Sequence, residues 1–185
     1  NYSLDALTSG DDNVAIGYNA GTAISSGYNN TLIGKNAGQA ITTGARNTFV
    51  GYQAGDGFDG ETNNVGVGEN ALGGPIAGGE YNVAVGSNTL DALTSGDNNT
   101  AVGYQAGTLT LDALTSGDNN VAVGYQAGSA VTTGGYNTFL GWEAGKTYTG
   151  TGDVNTAIGA SALQAMTTGT QNTALGGNAG YSLTS

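Results

Sequence analysis

Hydrophobic and polar residues alternate along this chain in a pattern that returns at a nearly fixed interval. Its unit is Asn13-Val14-Ala15-Ile16-Gly17, and the opening Asn comes back at Asn30, Asn47, Asn64, Asn82, Asn99, Asn120, Asn137, Asn155 and Asn172. The spacing from each Asn to the next is 17, 17, 17, 18, 17, 21, 17, 18 and 17, too short for a helix-pair or propeller-blade repeat and the right size for one coil of a β-solenoid. The pattern predicts an all-β chain in which residues 1–185 form one parallel β-solenoid, a β-roll of about ten 17-residue coils.

Within each copy, period-two alternation puts the second and fourth residues on one face and the third on the other. The fourth is always aliphatic: Ile16, Ile33, Val50, Val67, Val85, Val102, Val123, Leu140, Ile158 and Leu175. We read this row as core or oligomer contact. The third is never charged, so both faces read as partly buried, one filling the coil and the other calling for a cover. A second apolar row runs Leu7, Ile24, Ile41, Phe58, Ile76, Leu93, Leu114, Val131, Tyr148, Met166 and Leu183. Two such stations separated by Gly-containing turns predict two short strands facing each other across a thin interior. So thin a coil buries little area against its ordering entropy. Stacking supplies some burial, and the remaining apolar face predicts a homotrimer packed around an axis parallel to the solenoid.

The glycine after each first strand permits positive φ or close backbone approach, and Thr-Ser-Gly or Thr-Thr-Gly closes the second station. The tenfold Asn reads either as a ladder, each amide bonding its copy one coil along, or as an Asx-turn in every coil. The 21-residue step carries four extra residues after Gly103, read as a surface bulge. Residues 56–63 and 73–81, the latter with Pro75, are read as turns, since Pro cannot donate to a continuous ladder.

Composition sharpens this picture. Glycine makes up 35 of 185 residues and only 9% are charged, and the glycines are periodic, so they punctuate a fold. Low charge and in-register Val, Ile and Thr argue against disorder. Fourteen acids stand against Lys35, Arg46 and Lys146, a net charge of −11 that leaves no basic patch for nucleic acid. No apolar run approaches the length of a membrane span. With neither Cys nor His, thiolate and zinc sites and the commonest nucleophile–base pairs cannot be built, so we expect no enzyme, no metal and no cofactor.

The Asn-Val-Ala-Ile-Gly and Asn-Thr-Ala-Ile-Gly strands, with their Ala-containing turns, resemble the head repeats of YadA-like trimeric autotransporter adhesins and repeats of phage tail-fibre proteins. The resemblance covers residues 4–185. It implies a left-handed parallel β-roll trimer at the tip or along the shaft of an extracellular, cell-surface or virion fibre, with itself and host-surface glycans or proteins as partners.

Three candidate sites stand out. Tyr18, Tyr52, Tyr104, Tyr125 and Trp142 share the station after the strand-ending Gly, a broken aromatic column that either stacks on sugar rings or packs over the turn. Asp11, Asp12, Asp97, Asp118 and Asp153 precede the repeat Asn and read as solvated turn acids, with Ca²⁺ ligation the weaker alternative. Thr31, Thr48, Thr100, Thr138, Thr156 and Thr173 share one strand station, as on an ice-binding face, but alternate irregularly with Val14, Val65, Val83 and Val121, which suits a buried interface better. No polar caps are visible, and Tyr2-Ser3-Leu4 resembles Tyr181-Ser182-Leu183, so assembly is expected to continue past both ends, by flanking protein or head-to-tail stacking.

Overall fold

The computed structural model describes residues 2–74, 78–107, 116–151 and 154–184. Each pentapeptide supplies one three-residue strand: β1 (Val14–Ile16), β2 (Thr31–Ile33), β3 (Thr48–Val50), β4 (Val65–Val67), β5 (Val83–Val85), β6 (Thr100–Val102), β7 (Val121–Val123), β8 (Thr138–Leu140), β9 (Thr156–Ile158) and β10 (Thr173–Leu175). All ten join in one parallel sheet, in sequence order, so the chain is an all-β solenoid with about 17 residues per coil. Like stations stack on like: Ala15 lies beside Leu32, Leu32 beside Phe49, and Phe49 beside Gly66. The 18- and 21-residue steps leave this register intact, because their extra residues fall outside the strands.

The third residue of each pentapeptide points inward. Leu32, Phe49, Ala84, Ala101, Phe139 and Ala157 are buried, whereas the second and fourth residues face out. The row from Ile16 to Leu175 therefore lies on the outside of the sheet and not in the core of this chain. Across the interior, buried Ile24, Ile41, Phe58, Leu93, Val131, Tyr148 and Met166 form the opposite wall, with buried alanines such as Ala37, Ala54 and Ala144 at the corner between.

That opposite wall is built from turns, not from the second strand that the spacing predicts. The reason lies in Asn-Ala-Gly and its variants: Asn36 and Gly38 both take left-handed φ (61° and 55°), and two such residues at alternate positions bend a chain that a strand would keep extended. Tight turns follow, with Ala37 N–H donating to Gly34 C=O at 3.3 Å and Ile41 N–H to Gly38 C=O at 3.3 Å. The turns are nonetheless laddered between coils, as in Gly38 N–H to Ala54 C=O at 2.9 Å. Ile76 and Leu114 of this row, Pro75, and most of the bulge expected after Gly103 lie outside the described residues. Residues 56–63 run through turns and bends.

Interior volume is shared between the strand and the second turn glycine. A Cβ on Gly55 would sit 2.4 Å from the Phe49 ring, so a large strand residue demands glycine there. Where the strand instead carries Gly66, Leu72 takes that turn position and accepts left-handed backbone (φ 54°) to fill the space. Ala84 with Leu90 and Ala157 with Leu163 repeat the exchange. One buried leucine offsets the roughly 1 kcal/mol that a non-glycine residue pays for such a conformation.

The repeat Asn forms a continuous inward ladder. Asn47 donates its backbone N–H to Asn30 Oδ1 at 3.0 Å and its side-chain Nδ2 to Glu61 C=O at 2.8 Å, and Asn47 Oδ1 accepts from Asn64 N–H. The preceding residue, Arg46, is left-handed (φ 58°), and the amide side chain bridges the place where the chain turns into the strand. An amide suits this station because it alone presents one acceptor and two donors on a short stem.

Candidate functional site

Because the coil interior is filled from within, the outer face of the sheet is the feature left to interact. Two columns cover it. One is the aliphatic row from Ile16 to Leu175; the other alternates Val14, Val65, Val83 and Val121 with the six threonines, of which Thr31, Thr48, Thr100, Thr138 and Thr156 are half-buried and Thr173 exposed. Ile16 and Leu175, in the outermost strands, are 59% and 75% exposed, and Ile33, Val85 and Leu140 between them remain open to solvent.

The aromatic station runs along the flank of this face, just after the glycine that ends each strand. Tyr104, Tyr125 and Trp142, in consecutive coils, form one near-parallel stack, with ring centroids 5.8 and 6.2 Å apart. Tyr18 stands apart, meeting Tyr2 edge-on at 6.2 Å, and Tyr52 lies under the Lys35 ammonium at 5.7 Å. Glu69 and Ser87 at the same station separate these groups. Immediately before the repeat Asn, Tyr81, Tyr136 and Val154 hold exposed side chains on left-handed backbone, where most other coils use the cheaper Asn or Asp. Sequence reasoning did not single out these residues, nor the pairing of Arg46 with the Tyr28 ring at 5.1 Å. The signal that finds such pairs is the 17- or 18-residue offset between a cation and a ring.

Two of the turn acids, Asp97 and Asp118, serve the backbone. Asp97 Oδ1 accepts from Glu80 N–H, and Asp118 Oδ1 from Asp97 N–H, both at 2.8 Å. Asp153 lies outside the described residues, among which no group of three metal-ligating side chains comes together. Asp56 has its pKa raised by burial, partly opposed by the hydrogen bond from Gln53 Nε2 at 2.9 Å. All three cations are engaged: Lys35 and Arg46 over rings, and Lys146 on Glu143 at 2.7 Å. The acids therefore set the sign of the outer surface, and what the face offers is flat apolar and aromatic contact area. Among the described residues no helix is long and apolar enough to cross a membrane. Comparison with protein-family models, curated proteins and solved structures finds no match to this chain.

Proposed function

We propose that this chain is a passive structural segment of an extracellular, cell-surface or virion fibre, and that it self-assembles as a parallel homotrimer through the outer face of its sheet. The observation that carries the reading is the outward aliphatic row from Ile16 to Leu175, unbroken by any polar residue over ten strands. Ten strands at about 4.8 Å spacing give a stripe about 48 Å long, and three residues of strand give a width near 10 Å. The plan area of the whole face, threonine column included, is on the order of 500 Å², and the aliphatic row forms roughly half of it as one unbroken apolar line. Three copies sharing a central axis bury it against one another, and the resemblance of the pentapeptides to trimeric adhesin and tail-fibre repeats supports the same assembly, with a left-handed coil.

Substitution of Val102 and Ile158 by Glu tests the reading, because both side chains face outward and neither contributes to the interior. The expected result is loss of the oligomer with the β-solenoid circular dichroism unchanged, and electron micrographs in which rods give way to single thin particles. An unchanged oligomer would overturn it. The threonine column on the same face favours a second reading, an ice-binding surface. That reading requires the outer face to be free in solution, and an ice-recrystallisation assay on the intact protein separates the two.

A further inference from the structure

The outer face of the sheet has two flanks, and they are chemically unlike. At the two residues ahead of the repeat Asn stand Asp11, Asp12, Glu80, Asp97 and Asp118. At the residue behind the strand-ending glycine the one acid is Glu69, and five rings and Lys35 take most of the other places. A second copy laid antiparallel on this face would set acid flank on acid flank. Rotation about an axis parallel to the solenoid carries no translation, so it brings the acid flank of one copy to the aromatic flank of the next at the same coil.

Side-chain size follows the same pairing. The residue just before each repeat Asn and the residue just after the glycine of the same strand match coil by coil. Where the second is a ring, the first is short and polar: Asp12 with Tyr18, Asn98 with Tyr104, Asn119 with Tyr125. Lys35 and Glu69 likewise have Asn29 and Asn63 as counterparts. Where the second is small, the first is large: Tyr81 with Ser87, Val154 with Ala160, Gln171 with Gly177. The two remaining coils set Arg46 against Tyr52 and Tyr136 against Trp142, a cation–ring and a ring–ring pair. A displacement of one coil would lay Lys35 on Arg46 and Tyr125 on Tyr136. The opposite displacement would join Arg46 to Glu69 but lay Tyr104 on Tyr81 and leave Ser87 facing Asn63. Contact within one chain does not account for the matching, because six residues of nearly extended backbone hold the two stations about 15–20 Å apart.

We infer that neighbouring copies meet flank to flank, in parallel and coil for coil, the acid flank of one receiving the aromatic flank of the next. This pairing rests on the self-association of the outer face proposed above, and adds its orientation, its register and the groups that fix them. The Tyr104 and Tyr125 hydroxyls donate across the boundary to the Asp97 and Asp118 carboxylates. Each of these acids accepts a backbone N–H at Oδ1, and a carboxylate has capacity for more.

The chain contains no cysteine, so introduced thiols are the only ones. Val154→Cys and Ala160→Cys change side-chain size little at exposed positions of the ninth coil. Within one chain the two lie too far apart for a disulfide, which needs Cα atoms closer than about 7 Å. The double variant, oxidised at micromolar concentration, is expected to give covalent oligomers up to the native copy number on a non-reducing gel, while each single variant stays at the mass of one chain. Tyr136→Cys with Ala160→Cys, one coil or about 5 Å out of register, is expected to link far less. A native protein at the mass of one chain sinks the self-association reading and this pairing with it. An oligomer in which a single variant links to itself, in which the off-register pair links as well as the in-register pair, or in which no pair links, overturns the flank pairing and leaves self-association standing.

Discussion

Replacing Asn82 by Ala removes one rung of the buried amide ladder. Asn82 is fully buried; its Oδ1 accepts from Asn99 N–H at 2.9 Å, and its Nδ2 donates to Gly96 C=O at 2.8 Å. Longer contacts link it to the amides of Asn64 and Asn99, at 3.3 and 3.2 Å. In the variant the two backbone groups lose their partners in the interior of the coil. An orphaned buried donor or acceptor costs about 1–3 kcal/mol, so two give about 2–6 kcal/mol, against total stabilities of about 5–15 kcal/mol. Urea denaturation followed by circular dichroism measures the difference, with Ser87→Ala, at an outward station, as a control expected within about 0.5 kcal/mol. Asn82→Asp adds a second handle. The carboxylate keeps an acceptor for Asn99 N–H but sets an oxygen against Gly96 C=O, so burial and the carbonyl raise its pKa. A group with a raised folded pKa stabilises below its unfolded pKa and loses that contribution as pH rises through the folded value. The Asp variant should therefore be weakest at neutral pH and recover on acidification. A loss for Asn82→Ala no larger than that of the Ser87→Ala control would refute the ladder as a source of stability.

Other perturbations separate the remaining terms. Gly51→Ala places a Cβ 2.2 Å from the Gly68 carbonyl oxygen on backbone at φ 142°, and should cost about 3 kcal/mol or more or prevent folding, read from the denaturation midpoint or from soluble yield. Phe139→Ala empties the interior where Gly128 and Gly145 make room for the ring, and should cost about 3–5 kcal/mol by the same measurement. Asp56→Asn keeps an acceptor for Gln53 and removes a carboxylate whose pKa burial raises, so the variant should gain a few tenths of a kcal/mol near neutral pH and lose the gain in acid.

The sequence carried the ten strands and their parallel register, and narrowed the repeat Asn to a ladder or an Asx-turn, because these depend on backbone positions that few residues can occupy. Asn must bridge a left-handed corner, and Gly51 stands where any side chain would strike the next coil. It did not carry the sign of the sheet. Alternation separates Val14 and Ile16 from Ala15 but does not say which set is inside, and hydrophobicity alone favours the larger residues. The interior is thin and the opposite wall already holds Ile24 and Ile41, so small strand residues go in and branched ones go out. A readable signal was present in the exchange of Phe49 with Gly55 for Gly66 with Leu72, which conserves volume only if the third strand residue and the turn glycine face each other. The second strand was overread for a related reason. Its apolar spacing is regular, but Asn36 and Gly38, two residues apart and both tolerant of left-handed φ, mark a turn. Of the aromatic station, recurrence revealed both the column and its breaks at Lys35, Glu69, Ser87 and Ala160, but not that only Tyr104, Tyr125 and Trp142 stack.

Self-association through the outer face is tested most directly by the mass of the protein in solution, measured by light scattering behind a sizing column at micromolar concentration. One chain weighs 18.1 kDa, and the native protein is expected at three times that mass. The Val102→Glu, Ile158→Glu variant is expected at the mass of a single chain with its β-signal intact. A native protein that is folded, soluble and 18.1 kDa would contradict self-association through this face.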